Sequence, residues 1–142
     1  IRKGIPNLPA VPQVHNLSKL CIELLDPIRE EFGPIKVNSG FRSAALNKAI
    51  GGSASSAHME GNAADIVPMT VGVTLRQVML GVTNEFAWGI ASGYDQIIYE
   101  GTWIHIGSSS AGAKRRKQNL MMFPVNGKPK YYAFSASDPR VI

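Results

Sequence analysis

The chain has 142 residues, of which 44% are hydrophobic and 18% charged, and it contains 14 glycines and 9 prolines. This length suits a single domain with one sizeable core, and the composition argues against a disordered or low-complexity chain. No run approaches the roughly 18 consecutive apolar residues that a membrane span needs. No basic segment followed by an apolar run opens the chain, so no secretory signal is visible. The sequence therefore predicts a soluble globular domain.

The net charge of +5 is unevenly distributed along the chain. Residues 111–142 carry seven basic side chains against one acidic, whereas residues 1–110 carry eight basic and nine acidic side chains. Such a basic segment attracts anionic partners over long range. An anionic wall polymer or a membrane surface fits this pattern, and so does a solvated basic turn that binds nothing.

The N-terminal third is expected to form an arm and a long helix. Residues 1–14 are proline-rich and predict an extended arm. Asn16 is a plausible N-cap for a helix towards Phe32, which Pro27 should kink or break. The only cysteine, Cys21, excludes an internal disulfide. It lies in an apolar run of this helix, so we expect it to pack in the core rather than act as a nucleophile.

The rest of the chain predicts a small sheet with packed helices. Strands are expected over residues 35–37, 64–67, 94–100 and 103–106, and helices over residues 43–50 and from Thr74 to about Trp88. A further hairpin is expected around Asn126-Gly127. These elements predict an α+β fold with a mostly antiparallel sheet. We assign residues 15–110 to the core and residues 111–142 to a basic C-terminal extension of the same domain.

The hairpin that turns at Gly101-Thr102 brings several polar side chains to one face. In this register, Ile98 pairs with His105 and Glu100 pairs with Trp103. The residues that share the face are Gln96, Ile98, Glu100, Trp103 and His105. Glu100 is then a diagonal neighbour of His105, within reach of a group bound to the same metal.

Two histidines and one aspartate have the composition of a catalytic zinc site. His58 lies on a loop seven positions before Asp65, which begins a buried strand, and His105 lies in the hairpin. Two imidazoles and a carboxylate leave one zinc position for water, whose pKa the metal lowers to about 7. Glu100 would then be the general base, with Asp95 as the reserve candidate. Spacing alone leaves open a second interpretation without a metal. In it, His58 is a loop residue, His105 is a buried histidine with hydrogen-bond partners, and Asp65 is a capping residue.

Three motifs in this order resemble the M15 zinc peptidases. They are Ser-Gly-Phe-Arg-Ser at 39–43, Ser-x-His-x-x-Gly-x-Ala-x-Asp at 56–65 and Trp-Ile-His at 103–105. That family includes D-Ala-D-Ala carboxypeptidases, dipeptidases and peptidases of bacteriophage endolysins. The resemblance covers about residues 15–108. The fold of the M15 family is shared with Hedgehog-like signalling domains.

The resemblance implies roles for individual residues. His58, Asp65 and His105 fall on the three zinc ligands of the family. Arg42 falls on an arginine that contacts the substrate or the developing oxyanion, and Ser56 is expected to support the loop or bind substrate.

The general base is where this sequence departs from the family pattern. Many members place the catalytic carboxylate three positions before the last histidine, where this chain has Thr102. The nearest acid before that position is Glu100, and the stretch 95–100 is similar to phage-type members. Glu100 is therefore the expected base.

The resemblance implies a zinc-dependent peptidase that acts on the stem peptides of bacterial peptidoglycan. We expect a monomeric phage endolysin with endopeptidase activity, made in the host cytoplasm and reaching the cell wall at lysis. The alternatives are a cellular D-Ala-D-Ala carboxypeptidase and a non-catalytic zinc-binding module. Nucleotide binding is not expected, because residues 51–56 lack the phosphate-loop pattern. A nucleic-acid partner would leave the His/Asp constellation unused.

Overall fold

The computed structural model describes residues 4–84 and 93–142. The α-helices are α1 (Val11–Leu20), α2 (Asp26–Phe32), α3 (Ala44–Ala49) and α4 (Leu75–Thr83). The strands are β1 (Ile35–Ser39), β2 (Ala63–Pro68), β3 (Tyr94–Tyr99), β4 (Ile104–Ser108), β5 (Gln118–Val125) and β6 (Lys128–Ala133). Within the described ranges, no helix has the length and apolar character needed to span a membrane.

The six strands form one sheet in the order β1-β2-β4-β3-β5-β6. Strands β3 and β5 pair in parallel, and the other neighbours pair antiparallel. This arrangement confirms the predicted α+β class with a mostly antiparallel sheet. The predicted capping box of α4 is present, with Thr74 and Gln77 bonded reciprocally. The expected end of that helix near Trp88 lies outside the described residues.

Helix α1 begins five residues before its predicted N-cap. Ala10 is the N-cap residue, and its backbone N–H donates to the Gln13 side chain at 3.1 Å. Pro12 lies in the first turn, where a missing N–H costs no intrahelical bond. The extended arm therefore ends at Ala10, and the expectation that it reaches residue 14 is wrong.

A wide π-helical turn, Cys21–Leu25, joins α1 to α2 just before Pro27. The predicted break thus takes the form of a local widening, which accommodates the proline without ending the helix. Cys21 is exposed, which corrects the expectation that it packs in the core. The four-residue spacing of Leu20, Leu24 and Ile28 assigns those side chains to the core, where each is at most 1% exposed. Cys21 follows Leu20 by about 100° around the helix axis and lies beside this stripe.

The two faces of the sheet have different chemistry. Ile66, Ile97 and Ile104 point to one face and pack with the helices, and each is fully buried. Because successive side chains along a strand alternate between the two faces, the residues next to these isoleucines in sequence point to the opposite face. That opposite face carries Asp65 and His105, so the helix-covered core supports a polar site on the other side of the sheet.

Residues 111–142 share the sheet and the core with the rest of the domain. The predicted hairpin is present, with Asn126 at φ 51° and Gly127 at φ 74° between β5 and β6. Two consecutive positive φ angles are typical of the type I′ turn that matches strand twist. Met121 and Val141 are each 5% exposed within the main core cluster.

Candidate metal and catalytic site

Three elements bring the predicted metal ligands together. His58 lies on the short 3₁₀ helix Ala57–Glu60, Asp65 lies in β2 and His105 lies in β4. Asp65 and His105 are directly opposite each other in the antiparallel β2–β4 ladder. Gly61, at φ 73°, turns the chain from the 3₁₀ helix towards β2 and so orients His58 towards the strand pair.

The three candidate ligand atoms are mutually close. His58 Nε2 lies 3.2 Å from both Asp65 Oδ1 and His105 Nδ1, and His105 Nδ1 lies 3.0 Å from Asp65 Oδ1. Ligand atoms held tetrahedrally at about 2.0–2.1 Å from zinc are about 3.3 Å apart. The spacing and the chemistry of this donor set therefore fit a zinc ion.

Hydrogen bonds fix the orientation of the His58 ring. Its Nδ1 lies 2.7 Å from the carbonyl oxygen of Gly40. Because a carbonyl only accepts, Nδ1 carries a proton, and Nε2 is the ring nitrogen that faces the other two candidate ligands. His58 is 2% exposed, so this arrangement is shielded from water.

Asp65 is held in its charged form. Burial alone would raise the pKa of this carboxyl group, but hydrogen bonds and charge interactions with His105 and His58 hold the pKa well below its usual range. A deprotonated carboxylate is the form that binds a metal ion.

Arg42 lies against the same carboxylate. Its Nη2 donates to Asp65 Oδ2 at 2.5 Å, and its Nε donates to Ser39 Oγ at 2.7 Å. Its backbone N–H donates to the carbonyl of His58 at 3.0 Å. The guanidinium is thus fixed beside the ligand cluster, and contact with substrate stays a prediction for this residue.

The arm holds the Arg42 loop in place, a role that sequence reasoning missed. The Asn7 side chain donates to the carbonyl of Phe41 at 3.0 Å and accepts from the backbone N–H of Ser43 at 2.6 Å. Ser43 also caps α3 by accepting from the N–H of Leu46. An asparagine in a proline-rich arm offers no sequence signal for this contact.

A cleft of about 660 Å³ opens above the ligand cluster. The predicted hairpin register is confirmed, because Ile98 pairs with His105 and the Glu100 N–H donates to the Trp103 carbonyl at 3.0 Å. All five side chains expected on one face of this hairpin line the cleft: Gln96, Ile98, Glu100, Trp103 and His105.

Glu100 and Asp95, the two candidate bases, have different surroundings. Burial and the nearby charge of Asp65 raise the pKa of Glu100 to about 7, against the opposing effects of Arg42 and His58. A carboxyl group with a pKa near 7 suits general acid–base chemistry at neutral pH. Asp95 instead accepts three hydrogen bonds from Arg116, at 2.6, 2.6 and 2.9 Å. Both oxygens of Asp95 are therefore occupied, and this carboxylate has a structural role.

The model of the Peptidase M15 family matches residues 2–106, which include every candidate ligand, Arg42 and Glu100. The chain belongs to the M15 peptidase family. No curated protein matches the chain.

The cleft of this M15 peptidase includes residues that sequence reasoning missed. Arg116, Pro129 and Tyr131 line it, and all three follow the region matched by the family model. Burial and the charge of Glu100 raise the pKa of Tyr131. The sequence predicted a basic charge and a hairpin in this segment, but not that it contributes to the cleft. Ser56, by contrast, lines the cleft at the start of the 3₁₀ helix, and its role in supporting the loop or binding substrate stays a prediction.

Proposed function

We propose that this M15 peptidase is a zinc-dependent endopeptidase that cleaves peptide bonds in the stem peptides of bacterial peptidoglycan. The observation that carries the proposal is the convergence of three ligand atoms, 3.0–3.2 Å apart, in a cleft that Glu100 also lines. Family membership supports peptidase chemistry, and the donor set supports zinc.

His58, Asp65 and His105 would hold the ion. When bound, zinc supplies a Lewis acid for the scissile carbonyl and lowers the pKa of water. Glu100 accepts the proton of the attacking water and passes it to the leaving amine, because its pKa near 7 allows both steps. Arg42 is fixed by Asp65 and Ser39, and its guanidinium suits the oxygen on which negative charge develops.

The basic C-terminal segment supports a role at the bacterial wall. Lys114, Lys128 and Lys130 are exposed, so they are available to an anionic wall polymer or membrane surface. We propose that this enzyme is a monomeric phage endolysin. Such an enzyme meets these polymers when it reaches the wall at host lysis.

The test is mass spectrometry of fragments released from purified, cross-linked peptidoglycan by zinc-loaded protein, with a chelated sample in parallel. Separated stems or opened cross-links, released only with zinc, are the expected result. Loss of a terminal D-alanine alone would instead identify a carboxypeptidase. Absence of release from several wall chemotypes, with zinc still bound stoichiometrically, would contradict the peptidase proposal and favour a non-catalytic zinc module.

A further inference from the structure

A second groove, of about 420 Å³, lies beside the metal cleft. The two cavities share four lining residues: Ser55, Ser56, Ala57 and Arg116. These residues form a ridge with the metal cleft on one side and the second groove on the other. A chain that crosses the ridge can therefore occupy both cavities at once.

Part of the second groove is built by residues that follow the family match. Ser109, Ser110, Ala113 and Lys114 line it, and they lie beyond residue 106, where the match ends. This part of the wall therefore comes from residues after the matched region, and the chain continues from them into β5 of the same sheet.

The lining of the second groove is polar and balanced in charge. Its charged side chains are Glu60, Asp95, Lys114 and Arg116, two of each sign. Serine hydroxyls and the amide of Asn62 supply further donors and acceptors. Such a surface suits a neutral chain rich in amide groups, because a free terminal carboxylate would call for an excess of positive charge.

Arg116 is a rigid donor on the ridge. Asp95, itself 7% exposed, binds the Nε, the Nη2 and the backbone N–H of this arginine. The Arg116 side chain nevertheless keeps 58% of its surface exposed. A guanidinium that is neutralised and held in place loses little conformational entropy when it donates to a peptide carbonyl.

We propose that the second groove is a substrate subsite for the peptide chain on the far side of the scissile bond, with Arg116 binding a backbone carbonyl of that chain on the ridge. This inference rests on the proposed peptidase function and deepens it, because occupation of both cavities requires a chain that continues past the cleaved bond. The subsite thus makes the enzyme select internal bonds.

The groove is tested by filling it. Ala113→Trp places an indole in the second groove, and Val71→Trp is the matched control, because Val71 is fully exposed and lines neither cavity. The kcat and KM of each zinc-loaded protein are measured with a cross-linked stem-peptide dimer and with a capped tetrapeptide that contains the same bond. We expect the rise in KM caused by Ala113→Trp to be about ten times larger for the dimer than for the tetrapeptide. Val71→Trp should leave KM unchanged for both substrates.

Failure of the inference and failure of the proposed function give different results. Equal effects of Ala113→Trp on both substrates, or no effect on either, would overturn the subsite. Cleavage of the dimer alone by the wild-type protein would support it. If the wild-type protein cleaves neither substrate, the function is wrong, and calorimetric binding of the dimer then tests the groove. An unchanged Kd in Ala113→Trp would overturn the subsite in that case too.

The role of the ridge arginine has its own test. Arg116→Lys keeps the positive charge opposite Asp95 but loses the planar guanidinium. We expect KM for the dimer to rise several-fold while kcat changes little, since this residue contacts the chain away from the reacting bond. Thermal unfolding checks that the variant is folded, and an unchanged KM in a folded variant would contradict the assignment.

Discussion

At the residue scale, the segment 39–43 shows how a short motif supports a metal site through its backbone as much as through its side chains. The Gly40 carbonyl orients the His58 ring by accepting from its Nδ1. Arg42 pairs with Oδ2 of Asp65, and Ser39 orients Arg42. Groups of this kind, which bind the metal ligands rather than the metal, hold the ligands in position and tune their basicity.

Replacement of Glu100 by glutamine should separate catalysis from metal binding. Glu100→Gln keeps the shape of the side chain but cannot accept a proton, so we expect activity to fall about 10²–10⁴-fold. Zinc content, measured by atomic absorption, should stay at one ion per chain, because Glu100 is not a candidate ligand. Glu30→Gln, on an exposed position of α2, is the control. Retained activity in Glu100→Gln would transfer the role of base to another group.

The ion pair between Asp95 and Arg116 should make the stability of the fold depend on pH in the acid range. Burial tends to raise the pKa of Asp95, but hydrogen bonds and the charge of Arg116 outweigh this effect and lower the pKa. The pair therefore stabilises the fold fully above about pH 4, the usual pKa of aspartate, and this contribution is lost as the pH falls through the lowered pKa of the folded state.

The measurement is urea unfolding of the wild-type protein and of Asp95→Asn between pH 2 and pH 7. At neutral pH we expect the variant to have a lower free energy of unfolding by about 1–3 kcal/mol. The difference should shrink below about pH 4. A difference that is the same at every pH would mean that packing, rather than charge, is what the carboxylate contributes.

At the scale of elements, the site depends on how the first helix packs against the ligand loop. Gly61 leaves the 3₁₀ helix at φ 73°, and a Cβ atom there would lie 2.6 Å from the carbonyl oxygen of Gln13 in α1. The side chain of Asn16 donates to the carbonyl of Glu60 at 2.7 Å. Asn16, expected to cap the helix, thus instead ties α1 to the loop that carries His58.

Substitution of Gly61 should therefore cost more than backbone strain alone. Gly61→Ala adds a steric clash with α1 to the cost of a positive φ, so we expect a loss of about 2–4 kcal/mol in the free energy of unfolding. Gly127→Ala is the control, because its φ of 74° is nearly the same and nothing lies within 4 Å of the added atom. That variant should lose about 1 kcal/mol, the strain component only. Equal losses in chemical unfolding would show that α1 yields to the added methyl group.

At the scale of the whole molecule, zinc should link the two sides of the ligand cluster and stabilise the fold. His58 comes from the 3₁₀ helix and His105 from a central strand, so an ion bound to both restrains the native state. Free zinc at about 100 times its Kd should add about 2.7 kcal/mol to the free energy of unfolding, a rise in Tm of about 10 °C. Differential scanning calorimetry with zinc and with chelator measures it. His105→Ala should abolish the shift, and a shift that persists in this variant would place the ion elsewhere.

Local patterns in the sequence determined most of the elements and the face of the hairpin that lines the cleft. The alternation in residues 94–106 and the turn at Gly101-Thr102 are sufficient for the hairpin register, because strand side chains alternate strictly and a tight turn sets the pairing. The Thr74 capping box and the Asn126-Gly127 turn were predictable for the same reason, since their hydrogen bonds and φ angles involve only near neighbours along the chain.

Contacts between distant segments were decided only by the tertiary structure. The β2–β4 ladder places Asp65 opposite His105, 40 residues later in the chain. The pairing of β5 with β3 brings Arg116 and Tyr131 to the cleft, although composition showed that segment only as basic. Periodicity specifies which face of an element is apolar, but not which partner covers it.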